Sequence, residues 1–135
     1  MTEANGIPIS VVIDGANRND FKMIRETFEA IQTVRPFGFT GSGICMDKGY
    51  DFPEVRVIAQ EFGFTAHIRS RGEEAIRIRN EAGFRARRWV VERTHSWMNR
   101  FRRILVRWEK LASTYIAMLH LACGIITWRA AGLLK

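Results

Sequence analysis

Two carboxylates in this 135-residue chain are set apart by their surroundings. Between residues 85 and 110 there are nine lysines and arginines but only two acids, Glu92 and Glu109. Wound at 100° per residue, that stretch gathers Arg85, Arg88, Glu92, Ser96, Asn99, Arg103 and Lys110 on one helix face. Glu92 then lies at the centre of a basic surface, one turn after Arg88. Two chemistries fit that placement. A solvated ion pair with Arg88 at i,i+4 spacing would contribute roughly 0.2–0.5 kcal/mol. A metal-ligating acid among phosphate-binding arginines would instead suit a two-metal nuclease, in which acids hold divalent ions and bases hold the nucleic acid. Asp47 is the natural second ligand. It follows a short apolar run, and open α/β sheets place their sites beyond the carboxyl ends of strands. An ordinary turn at Asp47-Lys48-Gly49 accounts for the same residue.

These residues need elements to hold them. Ile7 to Ile13 reads as a strand, rich in β-branched residues. Asn5-Gly6 before it signals a type I′ hairpin turn, which requires positive φ at both positions. Met1 to Ala4 alone precede that turn, so the chain is expected to begin inside a hairpin, with earlier strands of the sheet missing; the alternative is that Asn5-Gly6 simply caps a frayed N-terminus. A helix is predicted from about Phe21 to Thr33, with N-cap candidates among Asn17 to Asp20. A short strand, Gly43 to Met46, leads to Asp47. Pro53 and Glu54 open a helix reaching about Phe62, and Thr65 to Ile68 forms another strand. A long helix is predicted from about Phe84 to Glu109. Its apolar side (Val90, Trp97, Met98, Phe101, Ile104, Leu105, Trp108) is expected to pack on the sheet. A last helix runs from about Ser113 to Arg129 and ends at Gly132. Alternating strands and helices predict a single α/β domain over residues 1–135.

Composition narrows the partners. Twenty-one lysines and arginines against 14 acids give a net charge of +7. Such an excess favours a polyanion, because each neutralised phosphate releases condensed counterions. Cys45 and Cys123 have no CxxC or zinc-like spacing, so they read as buried reduced thiols in a cytosolic protein. The apolar run from Tyr115 to Leu134 is interrupted by His120, Arg129 and two glycines. It reads as a buried helix, with no membrane partner expected.

Three segments carry a family resemblance. Asp47-Lys48-Gly49-Tyr50-Asp51 resembles the corresponding segment of DDE-type insertion-sequence transposases. The stretch from Arg87-Arg88-Trp89-Val90-Val91-Glu92-Arg93-Thr94 through Trp97-Met98-Asn99-Arg100-Phe101-Arg102-Arg103 resembles their glutamate-bearing helix. Gly15 to Asp20 is similar to their segment between the third strand and the first helix. The resemblance implies an RNase H-like mixed sheet flanked by helices, N-terminally truncated in this chain. It also implies three carboxylates binding two Mg²⁺ (or Mn²⁺) ions for phosphodiester cleavage and strand transfer. Asp47 corresponds to the second acid and Glu92 to the third. The first aspartate has no counterpart, and Asp14 falls at the end of the third strand instead. Arg88 matches the arginine of a related signature. The signature's tyrosine and lysine positions hold Arg85 and Asn99, with Arg100 adjacent.

The resemblance thus implies a DNA-transposition enzyme, incomplete by itself, with Arg85, Arg88, Arg93, Arg100 and Arg103 on DNA. Its expected partners are the terminal inverted repeats of its element, and a second copy or an upstream transposase polypeptide. Its expected location is the cytoplasm, on the nucleoid. The alternative is a catalytically inactive DNA-binding remnant that regulates the full-length enzyme. A basic RNA-binding protein of ribosomal type fits the composition but leaves Glu92 without an explanation.

Overall fold

The structure is a computed structural model that describes residues 1–15, 17–33, 41–68, 72, 76, 79–80 and 89–133. Its sheet, among the described residues, has two parallel strands, β1 (Ser42–Met46) and β2 (Phe64–Ile68). Helix α2 (Pro53–Glu61) connects them, with the proline in its first turn. The register pairs Ser42 with Phe64, Ile44 with Ala66 and Met46 with Ile68. Strand alternation points Ile44, Met46, Phe64, Ala66 and Ile68 to one face, where they pack on Ile24, Phe28, Val55 and Ala59. Val55 and Ala59, four apart on α2, are almost fully buried there. Phe28 stacks on Phe64 at 5.0 Å between ring centroids.

Cys45 lies on the opposite face, beside His67, and is exposed. This corrects the expectation of a buried thiol: an apolar run on a strand buries only alternate residues when one face is uncovered. Cys123 is partly buried, as its apolar helix predicts, and that burial raises its thiol pKa.

The expected first helix is shorter than its periodicity. A 3₁₀ turn (Asp20–Met23) leads into α1 (Ile24–Glu29), which buries Ile24 and Phe28. An Arg25–Glu61 ion pair at 2.7 Å ties α1 to the end of α2.

The N-terminal strand is the clearest departure. Residues 7–13 form no ladder among the described residues; there is one antiparallel bridge, Thr2 with Pro8. Pro8 has no N–H to give a ladder, and Val11 and Ile13 pack into a helical cluster instead. The hairpin does form, but with its turn displaced by one residue. The Gly6 N–H donates to Glu3 O at 3.0 Å and the Glu3 N–H to Ile7 O at 2.9 Å, enclosing a three-residue loop. Only Gly6 has positive φ (87°), which excludes the expected type I′ turn. The Glu3 carboxylate fastens the loop by accepting from the Asn5 and Ile7 N–H groups.

The predicted long helix is broken. It appears as α3 (Trp89–Met98) and a four-residue helix α4 (Arg102–Leu105), while residues 84–88 of the prediction lie outside the described residues. Phe101 between them takes an extended backbone (φ −89°, ψ 100°). The break brings Phe101 and Ile104 onto helix α5 (Ala112–Ala130), where Ile104, Leu119 and Ala122 form a second core with Met98, Tyr115, Val11 and Ile13. The apolar side expected on the sheet is therefore divided. Met98, Phe101 and Ile104 pack on α5, whereas Leu105 and Trp108 are exposed. Burial of Phe101 and Ile104 offsets the hydrogen bonds that a continuous helix would have kept.

Helix α5 ends as its sequence predicts. The Leu133 N–H reaches Trp128 O and the Gly132 N–H reaches Arg129 O, with Gly132 at φ 72°. This is the Schellman pattern that glycine permits. Among the described residues, no helix is long and apolar enough to cross a membrane.

Candidate active site

Asp47 is placed by purely local geometry. It follows the last residue of β1 in extended conformation (ψ 173°) and caps a 3₁₀ turn, Lys48–Tyr50. Its Oδ1 accepts from the Gly49 N–H at 2.8 Å. A Cβ at residue 49 would lie 3.0 Å from that oxygen, which explains glycine there. Among the described residues, the second carboxylate oxygen of Asp47 accepts no hydrogen bond, and the side chain is exposed. Asp51 behaves differently. Lys48 and Arg56 both donate to it and hold its carboxyl below the usual carboxylate range.

The turn borders an open cleft of about 320 Å³ lined by Asn19, Asp20, Phe21, Asp47, Gly49, Tyr50 and Phe52. Stacked Phe21 and Phe52 rings, 4.3 Å apart, form part of its wall. Tyr50 has its hydroxyl pKa raised, first by burial and then by the negative charges of Asp20 and Asp47. Sequence reasoning gave Asp20 only a capping role. Its place on this cleft arises because the 3₁₀ turn before α1 packs against the turn after β1. The signal available in sequence was its position in the Gly15–Asp20 segment. Asp14, in contrast, is held by Arg18 at 2.5 Å and by the Gly15 N–H, and both lower its pKa.

Glu92 depends on distant parts of the chain. It lies exposed on α3, whose buried side is formed by Val90 and Thr94. Thr94 donates to Gly6 O at 2.5 Å, a bond spanning 88 residues, and its Oγ also lies within hydrogen-bond distance of Val90 O (3.2 Å). A Cβ at residue 6 would sit 3.2 Å from the Thr94 hydroxyl and 3.3 Å from Val90 O. Glycine is thus needed both for the positive φ and for the close seat. Arg93 lies 4.0 Å over the Trp89 ring and 5.8 Å from that of Trp97, and it also donates to Asn5 O at 3.4 Å. The hairpin therefore docks on the helix that carries Glu92.

Of the expected DNA-contacting residues, Arg85 and Arg88 lie outside the described residues. Arg93 is exposed, with the two indoles and the hairpin beside it. Arg100 is exposed, and Arg103 pairs with Glu109 at 3.3 Å. Glu92 has no hydrogen-bond or ion-pair partner among the described residues and does not line the Asp47 cleft. The structure thus brings Asp47 and Asp20 to one cleft, which Glu92 does not line. Hard divalent cations take oxygen donors, and exposed carboxylates at Asp47, Asp20 and Glu92 are of that kind. Among the described residues, no three His, Cys, Asp or Glu side chains converge to hold an ion.

Comparison with known proteins decides the family. Residues 44–129, more than half of the chain, match the family described as "Transposase DDE domain". The chain belongs to the DDE transposases. It is also 34% identical over 134 residues to a Burkholderia cepacia protein assigned as transposase for insertion sequence element IS402. That similarity takes in 95% of this chain and 60% of the relative, so the transposase chain spans well under two thirds of that protein. No solved structure matches it. The matched span runs from within β1 into the last turn of α5 and includes both Asp47 and Glu92. The hairpin that seats α3 lies before it.

Proposed function

We propose that this transposase chain forms part of a catalytic domain for DNA transposition, acting on the terminal inverted repeats of its element. In this reading the full domain is RNase H-like, and Asp47 and Glu92 supply two of three metal-ligating carboxylates for two Mg²⁺ or Mn²⁺ ions. The first aspartate comes from an upstream transposase polypeptide. Bound divalent metal would polarise the scissile phosphate and supply an activated nucleophile. The chain's own residues bind and orient. Arg85, Arg88, Arg93, Arg100 and Arg103 hold phosphates, for which guanidinium groups are suited by their fixed fork of donors. The observation that carries the reading is Asp47. It is a strand-terminal acid inside the matched span, with an exposed oxygen free of hydrogen bonds among the described residues, at the rim of an open cleft.

Reconstitution tests the proposal. Mixed with an upstream polypeptide bearing the first aspartate, the chain is expected to nick element-end DNA only when Mg²⁺ or Mn²⁺ is present. Asp47→Ala and Glu92→Ala should each abolish nicking without unfolding the chain. Equal cutting by Glu92→Ala would overturn the assignment.

A second reading is favoured by the absence of Glu92 from the lining of the Asp47 cleft: an inactive DNA-binding remnant that interferes with the full-length transposase. It shares the basic surface but not the chemistry. Both readings require DNA affinity that falls steeply with salt. Nicking by the reconstituted mixture separates them.

A further inference from the structure

The segment from Phe101 to Leu111 is held firmly yet presents an indole to solvent. Ile104 is buried against α5, and the Tyr115 hydroxyl donates to its carbonyl at 3.2 Å. Arg107 lies 5.2 Å over the Tyr115 ring and donates through Nε to Glu109 O at 3.2 Å. The Glu109 side chain, 7% exposed, turns inward to meet Arg103. The only acid of the segment is thereby withdrawn from the surface, while Arg102, Arg103, Arg107 and Lys110 remain exposed. Trp108, at 75%, is the most exposed large hydrophobic side chain among the described residues. Trp89 and Trp97 have Arg93 beside them, but no ring or cation covers either face of Trp108 among the described residues.

An uncovered indole on a segment anchored through Ile104 and Arg107, with four cations around it beside exposed Leu105, Val106 and Leu111, combines the two features that bind single-stranded nucleic acid. Cations follow the phosphates, and the aromatic face stacks on a base. An anionic membrane also attracts cations and tryptophan, but the amphipathic helix that lies in a membrane surface buries a continuous apolar face along its length. This segment has four helical residues, followed by extended Val106. We infer that residues 102–110 form a contact for unpaired DNA, in which Trp108 stacks on an exposed base and Arg102, Arg103, Arg107 and Lys110 take the flanking phosphates. The contact rests on the DNA reading above but requires neither Asp47 nor Glu92.

The test measures affinity of the full chain for single-stranded oligo-dT, for a duplex of equal length and for phosphatidylglycerol vesicles. Trp108→Ala is expected to weaken oligo-dT binding about tenfold while changing duplex binding by about twofold or less, and Trp108→Phe to keep most of the affinity. Because the residue is exposed, both variants should retain the parent circular dichroism. Unchanged oligo-dT affinity, or equal losses on oligo-dT and duplex, would overturn the stacking role while leaving the chain a DNA binder. Loss of vesicle binding in place of oligo-dT binding would assign the segment to a lipid surface. A wild-type chain that binds neither form of DNA would overturn the DNA reading itself.

Discussion

The two acids of the family motif stand on foundations of different kinds. Asp47 belongs to the sheet half, where strand, turn and cap lie within a few residues and a single core fixes them together. Glu92 belongs to the helical half, where its helix is seated by a hairpin 88 residues away and by a separate core on α5. Position is local for one acid and tertiary for the other. The sheet half should therefore keep the Asp47 turn under perturbations that release α3.

The largest test of that contrast is Phe28→Ala. Phe28 is 2% exposed between α1 and β2, and its truncation is expected to cost about 3–5 kcal/mol in chemical denaturation. Amide exchange should accelerate in β1 and β2 before α5. Equal acceleration in all three would show one cooperative core in place of two.

Next is the hairpin seat. Gly6→Ala meets both an unfavourable φ and a tight contact, and is expected to cost at least about 1–2 kcal/mol. Thr94→Val leaves the buried Gly6 carbonyl without its donor and is expected to cost about 1–3 kcal/mol. The two changes act on one contact, so the double variant should lose less than the sum of the single ones. Additive losses would mean that the hairpin and α3 are stabilised independently.

A smaller effect is expected at Asp47→Ala, which removes a cap on an exposed 3₁₀ turn. A loss of about 0.5–1 kcal/mol is expected, with no change in exchange at α3. The smallest effect is electrostatic. Asp51 has its folded pKa depressed by Lys48 and Arg56, so its contribution is present above the ordinary carboxyl value and is lost as pH falls through the folded one. In an NMR titration Asp51 should titrate below the ordinary aspartate value, and Arg56→Ala should move its midpoint upward.

The same division explains what could be read from the chain. Both strands, α2 with its N-terminal proline, the turn after Asp47 and the Gly132 terminus of α5 follow from neighbouring residues, and they occur within a few residues of their predicted bounds. The hairpin before residue 9 was legible too, apart from a turn displaced by one position. Residues 11–13 were not, because β-branched side chains satisfy a helical cluster as well as they satisfy a sheet. Nor was the break at Phe101. Helical periodicity in side chains continues across it, and only the packing of Ile104 on α5 distinguishes a bent path from a straight one. Glu92 was legible as an acid on the solvent side of a helix. Its absence from the lining of the Asp47 cleft was not, since that depends on tertiary packing.

The bond between Thr94 and Gly6 also has a bearing on synthesis. At about 5–20 residues per second, a ribosome makes residue 94 roughly four to eighteen seconds after residue 6. Throughout that interval the small hairpin has no seat, while the βαβ unit behind it can already close on itself. Anchoring the glutamate helix is then a late event in the life of each new molecule, and it must wait for one of the longest loops the chain can close.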